Sequence, residues 1–234
     1  LVKLIKNDDM TPKFSKISHK FQRFATAIDE AAQSLGLTIT DVQNMQILRY
    51  LDGLLLWGKA YNLTAITDPD EALVKHIFDC MAIIPMLPFV TQPNKSLLDI
   101  GTGAGLPSVI LAILKPDWHI DALDSNQKKI RFIRQISSEI GLKNIMPIAS
   151  RIEHHHAQKA GAYDVITSRA FASLTDFVSL ATPCLADTGV LYAMKGKNPT
   201  AEEMADLQAW HIDIEPICVP KLDDDRCVVY LTKQ

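Results

Sequence analysis

The chain has 234 residues, of which 47% are hydrophobic and 22% are charged, and its formal net charge is −3. This composition excludes global disorder, because it supplies enough apolar side chains to bury a sizeable core. The apolar runs are too short for a membrane span, and the first ten residues lack the apolar region of a secretory signal. Four dispersed cysteines without a C-x-x-C motif are typical of reduced thiols. We therefore expect a cytoplasmic globular protein without membrane association.

Hydrophobic periodicity predicts helices throughout the first ninety residues. Apolar side chains recur at alternating steps of three and four over residues 14–35, which is one face of a helix. A second helix is expected to begin at Thr40, because Thr40 and Gln43 have the spacing of a capping box. Its apolar stripe is expected to contain Met45, Leu48, Leu51 and Leu55. A third helix is predicted to begin at Asp68, which is followed by a proline, and to end at Pro85.

The pattern changes after the proline-rich segment 85–93. Short apolar runs now alternate with helical stretches, which indicates a mostly parallel sheet covered on both faces. Strands are predicted near residues 97–100, 119–123, 145–149, 164–167, 189–195, 212–219 and 227–232. Helices are predicted from about 107, over 125–140 and 174–185, and from Thr200 to Trp210. The last two strands are expected to form an antiparallel hairpin. The sequence thus predicts a helical region at 1–93 and an α/β domain at 94–234.

A glycine-rich turn follows the first predicted strand, with glycine at positions 101, 103 and 105. Glycine permits a positive φ and lets a ligand lie against the backbone, and the helix that follows offers free N–H groups. Asp124 comes 23 residues after Gly101, at the end of the second strand, where a carboxylate can accept both hydroxyls of a ribose. These features predict a site for an adenosine-type ligand. The alternative is a glycine turn that only packs the helix on the sheet.

The spacing of the glycines bears on which ligand is expected. A dinucleotide-binding fingerprint would require glycine where Leu106 stands. The order Asp99, Gly101, Gly103, Gly105 resembles instead motif I of class I S-adenosylmethionine (SAM) methyltransferases. In that family the acid lies near the methionine end of the cofactor, so the resemblance implies SAM as the cofactor.

Four longer strings narrow the resemblance to one family. They are WGKAYNLTAITDPDEALVKHIFDC, LLDIGTGAGLPSVILAILKPDWHIDALDS, ITSRAFASL and YAMKGK. They are similar to the ribosomal RNA small subunit methyltransferase G family, also called glucose-inhibited division protein B, and the likeness extends from about residue 40 to residue 232. One departure is Ser108, where the family usually has glycine, and we expect it to have little effect.

The resemblance implies a Rossmann-like class I SAM-dependent methyltransferase fold with a seven-stranded sheet in the order 3-2-1-4-5-7-6. It also implies that SAM methylates N7 of a guanine in 16S rRNA, with the rRNA or the 30S subunit as the partner of a monomer. By motif, the positions that contact SAM in the family are here Gly101, Leu106, Ile152, Glu153 and Arg169.

The chemistry implied for guanine N7 needs no general base, because this nitrogen carries a lone pair and no proton. Positioning of the reactants would therefore dominate catalysis. Phe171 is a candidate platform for the base, and its alternative is ordinary core packing. Arg169 is a candidate partner for the SAM carboxylate or an RNA phosphate, and its alternative is a surface salt bridge.

Two groups of cations are candidates for binding the RNA backbone. The first lies on the predicted helix 125–140 and the second follows the fifth strand. The candidates are Lys128, Lys129, Arg131, Arg134, Lys195 and Lys197. For both groups the alternative is an ordinary solvated surface.

Two segments rich in potential metal ligands do not have the spacing of a metal site. Three adjacent histidines at 154–156 point in different directions, so we expect a loop there. The acidic run 223–225 lacks the spacing of a calcium loop and is expected to be the turn of the final hairpin.

Two other functions are alternatives to rRNA methylation. A SAM-dependent enzyme acting on a small metabolite would have a closed lid over its site instead of an open, basic rim. A non-catalytic module associated with the ribosome would bind SAM without turnover.

Overall fold

The computed structural model describes residues 19–169, 171 and 173–234. The helices in these ranges are α1 (His19–Gln22), α2 (Phe24–Ser34), α3 (Asp41–Tyr61), α4 (Pro69–Ala72), α5 (Asp79–Ala82), α6 (Ser108–Leu114), α7 (Gln127–Glu139), α8 (Ile152–His156), α9 (Leu174–Ala181) and α10 (Ala201–Met204). The strands are β1 (Ser96–Ile100), β2 (His119–Asp124), β3 (Ile145–Ala149), β4 (Tyr163–Arg169), β5 (Leu185–Lys195), β6 (Trp210–Pro216) and β7 (Cys227–Lys233).

The seven strands form one sheet in the order β3-β2-β1-β4-β5-β7-β6, as predicted. Strands β1 to β5 pair in parallel, whereas β7 is antiparallel to both β5 and β6, which confirms the expected hairpin. The register pairs Ile100 with Leu123 and Asp124 with Ala149. The carboxyl ends of β1, β2 and β3 therefore meet at one edge of the sheet, where ligands bind in open α/β folds.

Two hydrophobic clusters cover the two faces of the sheet. One contains Leu97 and Ile120 of the sheet together with apolar side chains of α2, α3, α6 and α7. The other contains Leu98 and Ile166 together with side chains of α9. Neighbouring residues of β1 enter opposite clusters because successive side chains of a strand point to opposite faces. The N-terminal helices thus share a core with the sheet, and the proposed division near residue 93 stays a prediction.

The N-terminal helices follow the predicted pattern with two differences. The capping box of Thr40 and Gln43 begins α3, and Leu48, Leu51 and Leu55 of the predicted stripe are buried, but Met45 is 37% exposed. The third helix contains a π-helical stretch, Leu73–Phe78, between α4 and α5. Residues 14–18 of the first predicted helix lie outside the described residues.

Two further predictions are wrong. The histidine run at 154–156 belongs to α8, because His155 bonds to the hydroxyl of Tyr163 and His156 to the backbone oxygen of Leu180, and these contacts hold one helical turn in place. The predicted helix from Thr200 to Trp210 ends at Met204. The chain must be extended from Trp210 onwards because that residue begins the pairing of β6 with β7.

The structure also bears on the state of the cysteines and on membrane spans. All four cysteines are free thiols. None of the helices in the described ranges is long and apolar enough to cross a membrane.

Candidate cofactor crevice and adjoining cavity

The loop after β1 takes a conformation that depends on its glycines. Gly101 has a φ of +71° and Gly105 a φ of +97°, a region that other residues rarely adopt. A Cβ atom on Gly105 would lie 2.5 Å from Cγ2 of Val109, so this glycine lets α6 pack against the loop. A Cβ atom on Gly101 would meet nothing within 4 Å. Gly101 therefore faces open space that a ligand can fill.

Buried polar groups hold this loop from below. The carboxylate of Asp99 is fully buried and accepts a hydrogen bond from the backbone N–H of Ser108 at 3.2 Å. The hydroxyls of Ser108 and Thr102 lie 2.5 Å apart, and the hydroxyl of Tyr50 in α3 donates to the backbone oxygen of Ala104 at 3.0 Å. The side chain of Ser108 thus adds a hydrogen bond to the loop.

Burial makes the carboxyl group of Asp99 a weaker acid than usual. Loss of water raises the pKa of its carboxyl to about 6, although the contacts with Thr102 and Ser108 favour the charged form. Asp99 lies beneath the glycine loop and does not line the crevice above it. Its position suits a residue that fixes the shape of the loop.

Asp124, at the end of β2, connects the loop to the next helix. One carboxylate oxygen accepts the backbone N–H of Gly103 at 2.9 Å, and the other accepts that of Asn126 at 2.7 Å. Asn126 in turn caps α7. The carboxylate is half-buried and is held in a single orientation by bonds on both oxygens. A carboxylate has about four acceptor positions, so it keeps capacity for further donors.

A crevice of about 260 Å³ lies over these strand ends. It brings together four residues predicted to bind the cofactor, namely Gly101, Asp124, Ile152 and Glu153, and it adds Phe171. Gly105 and Leu106, at the end of the loop, are buried and do not line this crevice. Arg169 lies in a neighbouring cavity instead.

This neighbouring cavity has a volume of about 440 Å³ and a cationic rim. Its polar lining consists of Lys75, His76, Asp79, Arg169, Lys195 and Arg226. Phe171 lines both the crevice and the cavity, so its side chain lies between them. Its ring also packs on Phe177, with the centroids 5.6 Å apart, which is the core contact given as the alternative, and its role as a platform for a base stays a prediction.

Asp79 holds two arginines of the cavity in place. Its carboxylate lies 3.4 Å from Nη1 of Arg169 and 3.0 Å from Nε of Arg226. Arg169 also donates to the backbone oxygen of Lys75 at 3.3 Å. Asp79 lies within one of the family strings, but its role was not predicted from the sequence, and Arg226, its partner, is 147 positions away.

His76 contributes a neutral polar group to the same cavity. Burial, reinforced by the nearby charge of Arg169, lowers its pKa to about 4. Its Nε2 lies 2.7 Å from the hydroxyl of Thr64. His76 is therefore uncharged at neutral pH and adds no positive charge to the cavity.

The predicted RNA-binding cations lie at two separate places, on α7 and at the end of β5. Lys128, Arg131 and Arg134 are exposed on α7, and the amino group of Lys129 lies beside the glycine loop. The remaining two are on the rim at the end of β5. There Lys195 pairs with Glu203 at 2.8 Å, and Lys197 is exposed.

No metal centre is apparent in the ranges that the structure describes, where no three His, Cys, Asp or Glu side chains are arranged to hold an ion. The acidic run 223–225 lies in the connection between β6 and β7, as predicted.

Solved structures share this fold at low sequence identity. Aeropyrum pernix fibrillarin, solved in complex with natively bound SAM, is 16% identical and has a TM-score of 0.52, covering 67% of this chain and 73% of its own. A SAM-dependent methyltransferase from Aquifex aeolicus is 16% identical with a TM-score of 0.51, covering 73% of this chain and 96% of its own. The predicted class I SAM-dependent methyltransferase fold is confirmed.

Closer relatives come from comparison of sequences. Ribosomal RNA small subunit methyltransferase G of Psychrobacter cryohalolentis is 56% identical over 220 residues, covering 94% of this chain and 89% of the relative. The protein of the same name from Acinetobacter baylyi is 44% identical over 210 residues, covering 89% and 96%. The family model described as rRNA small subunit methyltransferase G matches residues 43–229. The chain therefore belongs to the rRNA small subunit methyltransferase G family.

Proposed function

We propose that the chain transfers the methyl group of SAM to N7 of a guanine in 16S rRNA, in the cytoplasm, and that it acts as a monomer. Membership of the family makes it an rRNA small subunit methyltransferase. The choice of guanine N7 rests on the family resemblance, and the observation that supports a site for two reactants is the adjacency of two cavities. A crevice built on Gly101 and Asp124 adjoins a cationic cavity, and the ring of Phe171 lies between the two.

The residues of the crevice offer contacts that suit SAM. Open space in front of Gly101 lets a ligand lie against the backbone. Asp124 would accept the hydroxyls of the ribose, because both of its oxygens are already oriented and still have free acceptor positions. Ile152 and Glu153 close the crevice on the side of β3. When bound there, SAM supplies an electrophilic methyl group on its sulfonium.

The adjoining cavity would take the guanine. N7 attacks through its own lone pair, so no protein group has to remove a proton. The neutral His76 in the cavity therefore need not act as a base. Phe171 would stack on the base, a contact worth about 1–3 kcal/mol. Arg169, held by Asp79, would contact an RNA phosphate or the carboxylate of SAM. Orientation of both reactants can contribute roughly 7–11 kcal/mol towards the barrier.

Replacing Asp124 by Ala should weaken SAM binding by about 1–3 kcal/mol, or roughly 5- to 150-fold in Kd, because charge-assisted contacts with the ribose are lost. Isothermal titration calorimetry measures the change. Asp206→Ala removes an exposed carboxylate outside the crevice and serves as the control, with an unchanged Kd. Equal affinities in the two variants would contradict the placement of the ribose.

Gly101→Ala should also weaken SAM binding, by about 10-fold or more, because its Cβ would occupy the space that the ligand needs. Gly36→Ala is a matched control. Gly36 has a φ of +69°, close to the +71° of Gly101, and a Cβ there also meets nothing within 4 Å. Both substitutions should therefore cost about 1 kcal/mol of stability from backbone strain. Only Gly101→Ala should change the Kd for SAM, and parallel effects of both on binding would contradict the proposal.

The reaction itself is tested with methyl-labelled SAM and 30S subunits from a strain that lacks the enzyme. We expect label in 16S rRNA at N7 of one guanine, located by mapping the modified base, and naked 16S rRNA in a parallel reaction tells which form is the substrate. Label in a small metabolite instead would favour the first alternative. SAM binding without any transfer would favour the non-catalytic module.

A further inference from the structure

A groove between α3 and α7 is not used by the reaction described above. It has a volume of about 300 Å³ and lies on the surface near the C-terminal end of α3. Its main lining residues are Trp57, Tyr61, Lys128, Arg131, Arg134 and Ala149. Two aromatic rings thus lie next to three cations in one depression.

The aromatic rings of the groove pack on the protein core on one side and are exposed on the other. The rings of Trp57 and Tyr61 lie 5.4 Å apart, and Trp57 packs on the buried Phe132 of α7 with centroids 5.8 Å apart. Tyr61 is 43% exposed at the last position of α3. An exposed ring supported by a second ring is the kind of surface on which an unpaired base stacks.

Among the residues that the structure describes, no acidic side chain neutralises the cationic side of the groove. Lys128, Arg131 and Arg134 follow one another at steps of three and are all exposed. Within the described part of the chain, no carboxylate lies within ion-pair distance of any of the three, and Arg134 reaches only the backbone oxygen of Pro147, at 3.5 Å. A positive surface of this kind is complementary to phosphates.

The groove continues along the same edge of the sheet as the cofactor crevice. Ala149 lines the groove, and the next residue, Ser150, lines the crevice. Phe171 lines the crevice as well, and it borders the proposed guanine cavity. The groove and the guanine cavity thus adjoin the crevice through different residues, so the groove does not coincide with the guanine cavity.

We propose that this groove binds an unpaired nucleotide of the RNA substrate, at a distance from the methylated guanine. The base stacks on Tyr61 above Trp57, and the flanking phosphates contact Lys128, Arg131 and Arg134. Single-stranded RNA is recognised in this way, through aromatic stacking combined with a basic track. The inference rests on the proposed function, since it takes the substrate to be RNA.

The test measures binding of a fluorescein-labelled single-stranded fragment of 16S rRNA by anisotropy. Tyr61→Ala should raise the Kd by about 5- to 100-fold, and Tyr61→Phe, which keeps the ring, should restore it. Arg131→Ala should weaken binding and lower the slope of log Kd against log salt by about one. Binding of the unlabelled fragment should quench tryptophan fluorescence, and Trp57→Phe should abolish this quenching.

Two matched controls separate the groove from general surface effects. Leu56→Ala removes a side chain that is 61% exposed on the same helix but does not line the groove. Lys143→Ala removes one positive charge near the opposite end of α7, beside a different pocket. We expect both controls to bind RNA as the unaltered protein does, and all variants to keep their affinity for SAM.

The results distinguish this inference from the function on which it rests. If RNA is bound and methylated, but Tyr61→Ala and Arg131→Ala behave like the controls and Trp57 is not quenched, the groove proposal is overturned and the proposed function stands. If the protein neither binds the RNA nor methylates 30S subunits, the proposed function fails and the groove proposal fails with it.

Discussion

Asp79→Ala should lower the free energy of unfolding by about 3 kcal/mol, which is near the lower end of the cost of removing one partner from a buried ion pair. Asp79 is 5% exposed, and its carboxylate contacts both Arg169 and Arg226. Without it the two guanidinium groups, whose side chains are about a quarter exposed, repel each other beside the cavity. Urea unfolding, followed by circular dichroism, measures the loss.

An exposed ion pair provides the control for Asp79. Glu71 pairs with Lys75 at 2.9 Å, and both side chains are 40% or more exposed. Glu71→Ala should therefore cost less than about 1 kcal/mol. The loss of unfolding free energy for Asp79→Asn, which keeps acceptor capacity on one oxygen, should lie between those of Asp79→Ala and Glu71→Ala. If Asp79→Ala cost no more than Glu71→Ala, the carboxylate would not be holding the arginines.

The second large effect concerns the pH dependence of stability. The folded protein raises the pKa of Asp99 to about 6 from its ordinary value of 3.8. Folding therefore favours the protonated carboxyl, and this stabilising contribution, complete below pH 3.8, is lost as the pH rises through 6. Asn cannot titrate. The free energy of unfolding of Asp99→Asn, relative to the unaltered protein, should rise by about 3 kcal/mol across this window, with roughly half of the rise between pH 5 and 7.5.

Asp164 supplies a carboxylate with the opposite shift. Burial alone would raise its pKa, but hydrogen bonds from Ser96 and the ion pair with Lys95 lower it overall. Its contribution is present above pH 3.8 and is lost only as the pH falls below that value. The stability difference for Asp164→Asn should thus stay constant between pH 5 and 7.5. Urea titrations at several pH values measure both variants, and a flat difference for Asp99→Asn would show that its carboxyl is not buried as described.

Much of the cofactor crevice was predictable because it depends on residues close together in sequence. A strand, a glycine turn and a helix form one continuous segment, and Asp124 ends the next strand. Backbone freedom at Gly101 and the register of neighbouring parallel strands then place these groups at one edge. The strand order followed from the family resemblance, since local periodicity does not reveal which strands pair.

The adjoining cavity was predictable only in part. Arg169 and Phe171 were recognised from a family string, but the pairing of Asp79 with Arg226 joins a helix and a hairpin that meet only after folding. The helix at the histidine run was missed for the same reason, because its hydrogen bonds reach Tyr163 and Leu180. The aromatic groove similarly needs α3 and α7 to pack side by side.

By itself, the sequence determined the α/β pattern, the glycine loop and the carboxylate at Asp124, because each depends on local backbone preference or on strand periodicity. The tertiary structure alone decided that Asp99 is buried beneath the loop, that Asp79 pairs with two arginines, and that Tyr61 lies beside the cations of α7. Burial and ion pairing depend on segments that are distant along the chain, and only packing of the core brings those segments together.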